Sequence, residues 1–337
     1  MKALSSCILR EKLKIERAFE KPNIYIGFSR ELLLEKLFYP FGFIVDSMSF
    51  QYRRKITIAE QSGTDLTYYQ VLIELNSSNF NFAHAQTNGE DIRFTDADGN
   101  LLDYWIEEWD SVNESAKIWV EVPSIPANSS VDIYMYYGNS QITSASDGNA
   151  TFLIFDDFED GVLDWTVSLG SFTESGGTLY TSDNPGRCYK PNSEAEIAAK
   201  YKARVTTVDN SYDIWVDILA TGTYSTESGN DGYFVKRYGG GVVWIDRSDD
   251  GSVTGLLNIT GLPADTNWHV IEVRRAADGT ISYYEDGEFK DSVTDTTYSS
   301  TVNFIIGGSY GCYYDWILVR KYVSPEPSVS MGSEETP

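Results

Sequence analysis

The stretch NWHVIEVRRAADGTISYYEDGEF, residues 267–289, decides the fold class. Apolar and polar residues alternate through HVIEVRR and again through ISYYE, which is typical of strands with one buried face. Asp278-Gly279 and Asp286-Gly287 follow these runs, and Asp-Gly supplies the positive φ angles that tight hairpins require. The stretch therefore predicts β-strands joined by hairpin turns.

The same pattern extends outward along the chain. Short β-branched and aromatic runs occur at residues 52–58, 70–75, 117–122 and 131–137. Seven Asp-Gly dipeptides punctuate the sequence, beginning at Asp98, Asp147, Asp160, Asp231, Asp250, Asp278 and Asp286. No long helical pattern separates these runs, which argues against parallel βαβ architecture. The sequence predicts an all-β protein of antiparallel sandwiches.

The composition excludes several classes of partner. Asp and Glu number 50 against 26 Lys and Arg, which gives a formal net charge of −24. Such acidity repels phosphate, so we expect no nucleic acid partner and no anionic membrane. No run reaches the ~18 apolar residues of a spanning helix, so no membrane insertion is expected. The three cysteines cannot make a disulfide framework, and the two histidines leave little for zinc or acid–base chemistry.

A small, polar segment, NSQITSASDGNA at residues 139–150, is typical of a linker. It separates a β-sandwich domain at residues 48–138 from a larger β jelly roll at residues 151–332. The first has the size of an immunoglobulin-like sandwich. Residues 333–337 are expected to be a fraying polar tail.

Residues 1–47 differ from the rest of the chain. Apolar residues recur near helical spacing up to Pro22, and a second short helix is predicted between Ser29 and Pro40. The segment is either a helical adaptor or upstream sequence before a start at Met48. The apolar run that follows Lys2 is too short for a secretory signal, so no signal peptide is recognised.

Motifs between residues 50 and 150 carry a family resemblance. They are YRRKITI at residues 52–58, DIRFTDADGNLLDYWIEEW at 91–109, KIWVEV at 117–122 and IYMYYGN at 133–139. In this order they resemble a domain of unknown function of archaeal and bacterial surface proteins. That domain commonly precedes a concanavalin-like module.

The following segment is similar to laminin-G and concanavalin-like jelly rolls. FDDFEDG at residues 155–161 resembles their opening strand, and YYDWILVRKYV at 313–323 resembles their closing strand. NWHVIEVRR followed by ISYYEDGEF, at 267–289, resembles their Trp-His strand and Asp-Gly hairpin. The resemblance implies a jelly roll that binds a glycan or glycoprotein, often near calcium, and serves adhesion. Some relatives are glycosidases, so the fold alone does not decide the function.

Calcium binding is one hypothesis for the acidic residues of this domain. Ca²⁺ takes six to eight oxygen ligands, typically from Asp side chains and loop carbonyls. If the first and last strands pair as in the resembled family, Asp156 or Asp157 would lie near Asp315. A structural metal site there would tie the chain ends together. The alternative is that these carboxylates are solvated or cap turns.

Two groups of aromatic residues are candidates for glycan binding, because flat rings stack on the apolar faces of sugars. Tyr233, Tyr238 and Trp244 flank a glycine-rich turn at residues 239–241. Tyr310 and Tyr313 surround Gly311. The alternative for each of these residues is a place in the sandwich core.

No catalytic residue is assigned. The Glu-x-Asp-x-Glu strand of the laminarinase-like relatives is absent, and His269 and His84 have no recognisable nucleophile or orienting partner. Cys188 and Cys312 fall in the same predicted domain, where they either pair as a disulfide or remain two free buried thiols.

Three functional hypotheses remain. The first is a non-catalytic adhesion protein of a cell or virion surface, whose jelly roll binds a glycan or surface glycoprotein with calcium assistance. The second is a structural subunit of a surface layer, filament or fibre, and the third is a polysaccharide-active glycosidase. An extracellular or virion location is expected, and a virion protein or a truncated gene would account for the unrecognised signal peptide. The ligand and the oligomeric state do not follow from the sequence.

Overall fold

The computed structural model describes residues 50–222 and 231–337. The predicted helical segment at residues 1–47, the alternative start at Met48 and Cys7 lie outside the described residues. The described strands belong to one compact unit, Asp46–Pro337. Every strand pairing in this part is antiparallel, which confirms the predicted all-β fold. None of its helices has the length and apolar character needed to cross a membrane.

Two sheets form the first β-sandwich. In spatial order, the five-stranded sheet contains β23 (Ser328–Glu335), β1 (Tyr52–Ala59), β7 (Ser130–Tyr137), β3 (Arg93–Thr95) and β4 (Leu101–Leu102). The three-stranded sheet contains β2 (Leu66–Asn76), β6 (Ser115–Ile125) and β5 (Tyr104–Asp110). A 3-10 helix at Phe82–His84 lies between β2 and β3.

Two larger sheets form the jelly roll. In spatial order, the eight-stranded sheet contains β10 (Thr173–Glu174), β11 (Leu179–Thr181), β22 (Cys312–Lys321), β13 (Ile197–Val205), β18 (His269–Arg275), β19 (Thr280–Glu285) and β20 (Glu288–Thr294), with β8 (Ile154–Asp156) also paired to β22. The seven-stranded sheet contains β17 (Ser252–Thr260), β16 (Val242–Asp249), β15 (Gly232–Tyr238), β14 (Asp213–Ala220), β21 (Asn303–Ser309), β12 (Gly186–Pro191) and β9 (Thr166–Leu169).

Each sandwich encloses its own hydrophobic core. Alternate residues of a strand face opposite sides of a sheet, so every second side chain points inward. In the seven-stranded sheet, Val216, Val235 and Ile245 are fully buried in the jelly-roll core. Their neighbours in sequence therefore lie on the outer face of this sheet.

An aromatic cluster joins the two sandwiches. Trp105 and Trp119 from the first sandwich contact Phe152, which follows the short helix α1 (Gly148–Thr151). Phe155 and Trp316 of the jelly roll complete the ring contacts. Lys200 of β13, whose ammonium lies 6.0 Å from the ring centre of Trp316, forms a buried ion pair with Glu107 of β5. The two sandwiches are thus fastened by both apolar and charged contacts.

The predicted linker at residues 139–150 is bound to the first sandwich along its length. The Gln86 amide donates to the carbonyls of Asn139 and Ile142, each at 2.8 Å. Arg93 donates to the carbonyl of Thr143 at 2.6 Å. These bonds fix the path of the segment between the two sandwiches.

The C-terminal segment differs from the predicted fraying tail. Strand β23 pairs with β1 from Arg53 opposite Glu335 to Ala59 opposite Ser328, so the jelly roll does not continue to residue 332 and residues 333–335 are not a free tail. The edge of β1 offers unpaired backbone groups that a further strand satisfies. Met331 also packs against the core of the first sandwich. The sequence did not predict β23 as a strand, because its residues are mostly polar and only one face of the strand is partly apolar.

Candidate functional site

A cleft of about 240 Å³ lies on the outer face of the seven-stranded sheet. Two cross-strand rows build it. In one row Asp217 of β14, Phe234 of β15 and Asp246 of β16 are register partners. In the next row Trp215, Lys236 and Trp244 are partners. Because their neighbours in sequence fill the core, strand alternation directs these side chains outward.

Trp244 presents the exposed aromatic surface of this cleft. It keeps 43% of its surface exposed. Tyr238 holds it edge to face, with ring centroids 5.5 Å apart. The turn between their strands ends at Gly241, whose φ of +77° and 2.3 Å approach of a would-be Cβ to the Leu262 carbonyl leave room for no other residue. This tight turn sets the two rings side by side.

Charged and polar groups border the aromatic surface. The Lys236 ammonium lies 4.9 Å from the ring centre of Trp215, and the Arg187 guanidinium lies 5.2 Å from the same ring. Burial raises the pKa of Asp246 to about 6, against the opposing charge of Lys236. The buried hydroxyl of Ser248 has no hydrogen-bond partner within the described residues. The cleft therefore contains cationic and anionic side chains that can form hydrogen bonds. It also contains the Ser248 hydroxyl, which can both donate and accept one.

The cleft continues across β17 as a shallower depression of about 560 Å³. Trp244, Asp246 and Val253 line both parts. Leu256, Leu257 and Asn258 line the extension. Trp244 thus stands between two adjoining spaces, each bordered by apolar and polar groups. A ring with one apolar face and several hydroxyls is the kind of ligand that such a surface suits.

Two of the five predicted aromatic residues line the cleft, and the other three do not. Tyr238 and Trp244 line the cleft. The prediction that Tyr233 binds a ligand is wrong, because Tyr233 is only 1% exposed in the core and its hydroxyl donates to Asp295 at 2.6 Å. Tyr310, 47% exposed, and Tyr313 lie outside the lining of the cleft.

Tyr313 belongs instead to the outer face of the eight-stranded sheet. Its ring centroid lies 4.5 Å from that of Tyr180 and 4.9 Å from the Arg204 guanidinium. Tyr310 packs against Tyr212 with ring centroids 5.7 Å apart. These two tyrosines therefore do not share one surface with Trp244.

Sequence reasoning missed the charged half of the cleft, namely Arg187, Asp217, Lys236 and Asp246. The run DIWVD at residues 213–217 carried a usable signal, since alternating Asp, Trp and Asp side chains on one strand face a common side. The same signal was present for Asp246, since Trp244 and Asp246 are two residues apart in one strand. For Arg187 it was absent, because only the pairing of β12 and β14 with β21 brings this residue to the cleft.

The predicted metal ligands do not assemble as one set. Strand β8 does pair with β22, with Asp156 opposite Ile317. Asp315, however, forms an ion pair with Lys202 at 2.6 Å. Asp156 and Asp157 line an acidic pocket near the start of the jelly roll whose lining does not include Asp315. Asp315 therefore does not fit the predicted metal site.

Cys188 and Cys312 are free thiols in the jelly-roll core, so the disulfide alternative is not formed. They lie on β12 and β22, strands of opposite sheets. Burial raises the pKa of both thiols, which keeps them protonated and unreactive.

His269 is held by carboxylates at one end of the jelly-roll core. Its Nδ1 lies 2.8 Å from Asp286 and its Nε2 lies 3.0 Å from Asp265. A group of His269, Glu285 and Asp286 has metal-like spacing, with ligand atoms within 4.8 Å of one another. The buried Arg237 guanidinium already binds Glu285, at 3.3 Å, which places a cation there without a metal.

Comparison with known proteins identifies distant similarities. The chain is 26% identical over 210 residues to the uncharacterized protein MJ1472 of Methanocaldococcus jannaschii, an alignment that covers 56% of this chain and 35% of that protein. The chain thus spans about a third of the length of that relative.

Solved structures with a similar arrangement of strands include two from Bacillus. A carbohydrate-binding module, CBM66, of Bacillus subtilis has a TM-score of 0.34 and 11% identity, covering 50% of this chain and 95% of that one. A β-glucanase of Bacillus licheniformis has a TM-score of 0.40 and 15% identity, covering 50% and 98%. Within the chain itself, residues 88–168 match the family described as Domain of unknown function (DUF2341).

Proposed function

We propose that the protein is a non-catalytic recognition protein that binds a glycan in the cleft around Trp244. A sugar ring would stack on the exposed indole, and its hydroxyls would bond to the charged groups beside it. In this proposal the protein acts in adhesion at a cell or virion surface, and its partner is a glycan or a glycoprotein.

One observation carries the proposal, namely the 43% exposure of Trp244 within a cleft bordered by charged side chains. Water solvates an indole ring poorly, so a ligand that covers the ring within the cleft gains free energy from the apolar area removed from water. Neighbouring hydrogen-bonding groups favour a polar ligand over an apolar one. A carbohydrate ring satisfies both requirements at once.

The proposal assigns Asp217 and Asp246 to hydroxyl binding and not to bond cleavage. A glycosidase needs a carboxyl pair at a set separation, in which one member donates a proton. Here the cations Arg187 and Lys236 share the cleft with the two carboxylates, which favours paired, ionised acceptors. Release of reducing sugar from any bound glycan, abolished by Asp246→Asn, would replace this proposal with the glycosidase alternative.

The direct test is a glycan array followed by calorimetric titration of the best glycan. We expect Trp244→Ala to weaken binding at least about tenfold, because stacked aromatic residues dominate small interfaces. Tyr310→Ala, which removes an exposed ring outside the cleft, should leave the affinity unchanged. A glycan that binds both variants equally well, or an array without any specific glycan, would contradict the proposal and leave the structural-subunit alternative.

A further inference from the structure

Four planar side chains form one row across the outer face of the eight-stranded sheet. Tyr180 of β11 and Arg204 of β13 are both register partners of Tyr313 of β22. Trp268, which directly precedes β18, extends the row beyond Arg204. The sequence neighbours of the strand residues are buried, so strand alternation directs the row outward. The row therefore lies on the opposite sheet from the Trp244 cleft.

The aromatic members of the row hold the Arg204 guanidinium on two sides. It lies 5.0 Å from the ring centre of Trp268 and 4.9 Å from that of Tyr313. The two rings are 6.5 Å apart and inclined by 65°, so they form a corner around the guanidinium. Tyr180 supports Tyr313, with ring centroids 4.5 Å apart. Because these contacts restrict a long side chain, a ligand that binds Arg204 would cost little further side-chain entropy.

Arg204 has no anionic partner within the described residues. It forms no hydrogen bond or ion pair there, and its Nε is buried without an acceptor. A charged donor that is removed from water without an acceptor is costly, so native proteins rarely keep one. Arg53 provides a comparison, because it also lies over a tyrosine, Tyr134 at 5.1 Å, but binds the Glu335 carboxylate at 3.0 Å. With 50 acidic residues in the chain, a shortage of carboxylates does not explain the difference.

The other polar groups around Arg204 are mainly hydrogen-bond donors. The hydroxyls of the two tyrosines and the indole N–H of Trp268 bind no acceptor among the described residues. The Lys202 ammonium lies 5.6 Å from the ring centre of Trp268 and is paired with Asp315 at 2.6 Å. The Asp315 carboxylate is thus already neutralised, and the charge of Arg204 stays uncompensated. Donors beside an unpaired positive charge suit an anion.

We propose that this row binds the carboxylate or sulfate group of an acidic sugar, with Arg204 as its bidentate donor. A guanidinium matches the planar geometry of a carboxylate through two parallel N–H···O bonds. Trp268 and the two tyrosines would contact the sugar ring beside the acidic group. A single acidic group suits this surface better than a polyanion, because the formal net charge of −24 repels densely charged chains.

The test compares methyl β-D-glucuronide with methyl β-D-glucoside in calorimetric titrations of the full chain. The probes differ in the carboxylate that the proposal assigns to Arg204, so the glucuronide should bind at least about tenfold more tightly. Its affinity should fall as sodium chloride is raised, because salt screens a partly exposed ion pair. Arg204→Lys keeps the charge but loses the planar pair of donors, and should weaken glucuronide binding at least about fivefold.

Arg53→Lys is the matched control, since Arg53 also lies over a tyrosine ring but already has a carboxylate partner. It should bind the glucuronide like the wild type. Near-ultraviolet circular dichroism separates loss of the site from misfolding in Arg204→Lys. Equal affinity of the wild type for the two probes would overturn the proposal without reference to any variant. Unchanged glucuronide binding in folded Arg204→Lys would also overturn it.

Further probes distinguish a sugar acid from other anions. Acetate and inorganic sulfate should bind at least about tenfold more weakly than the glucuronide, because neither offers a ring to the aromatic side chains. Acetate that binds as tightly as the glucuronide would overturn the assignment to a sugar. Tighter binding of a tetraglutamate peptide that depends on Arg204 would also overturn it, and would assign the surface to an acidic protein partner.

This proposal is independent of glycan binding at Trp244. The preference for the glucuronide over the glucoside should persist in Trp244→Ala, since Trp244 lies on the other sheet. A preference that disappears in Trp244→Ala but survives in Arg204→Lys would overturn the second site and leave the glycan proposal intact.

Discussion

His269 has four charged neighbours, namely Asp265, Glu285, Asp286 and Arg237. A neutral imidazole has one N–H and cannot donate to both Asp265 and Asp286, whereas the protonated ring satisfies both. Burial opposes that charge, but the hydrogen bonds to Asp286 and Asp265 outweigh it and raise the pKa of His269. Nearby Glu285 acts in the same direction and Arg237 against it. His269 therefore acts as a charged tie between two loops.

The raised pKa predicts a specific loss of stability as pH increases. A group with a raised folded-state pKa contributes fully below its unfolded value, here 6.5, and loses that contribution as pH rises through the folded value. We expect His269→Gln to be less stable than the wild type by about 2 kcal/mol at pH 6. The difference should shrink above pH 6.5 in urea unfolding experiments. A difference that stays constant from pH 6 to 9 would contradict the charged tie.

The sequence did not predict whether an individual side chain of the candidate site faces the core or the cleft. Tyr233 and Tyr238 are both aromatic residues of β15, yet an odd offset sends one to the core and the other to the cleft. The alternation was visible, but charged and aromatic residues occur on both faces of this strand. Lys236 faces out and Arg237 faces in, where it pairs with Glu285. Which of the two faces of the strand is buried depends on where the second sheet packs, and only the folded structure shows that.

Among the structural elements, Asp-Gly turns were the most predictable. Four of the seven close hairpins, at Asp98, Asp250, Asp278 and Asp286. The dipeptide at Asp147 begins helix α1 instead, and the one at Asp160 belongs to the acidic pocket. Local sequence thus specifies a turn well, and tertiary contacts decide whether strands flank it.

The β19–β20 turn offers a clean test of this local rule. Asp286 and Gly287 have φ values of +55° and +80°, and a Cβ on Gly287 would meet no atom within 4 Å. Gly287→Ala should therefore cost about 1–2 kcal/mol from backbone strain alone. Gly287→Asn should cost less, because Asn tolerates left-handed geometry. Equal losses for the two variants in chemical denaturation would contradict this explanation.

At the scale of the whole molecule, the two sandwiches share an interface too well packed to act as a loose joint. Phe152 is 7% exposed between tryptophans of the first sandwich and Phe155 of the second. Arg320, 1% exposed, binds Glu272 at 3.1 Å and lies 4.7 Å from the ring centre of Trp119. The motifs predicted the fold class on each side. They did not predict this contact, because its residues come from distant parts of the sequence.

The interface predicts a single unfolding transition for the two sandwiches. Phe152→Ala should cost about 3–5 kcal/mol and separate the transition into two, since it removes the apolar centre of the contact. Phe289→Ala, which truncates a ring that is 56% exposed, should change neither the number of transitions nor the midpoint appreciably. Scanning calorimetry of both variants decides the matter. Two transitions in the wild type would contradict cooperative packing.

The pairing of β23 with β1 also determines how the molecule would respond to force. The start of β1 and the end of β23 lie at the same end of their ladder, where Arg53 is opposite Glu335. A load applied between these two points would peel the backbone hydrogen bonds apart one after another, from Glu335 towards Ser328. The rest of the first sandwich would stay protected until that edge had opened. Tension through this pair would therefore meet a weak first barrier, although the same contacts are well satisfied at rest.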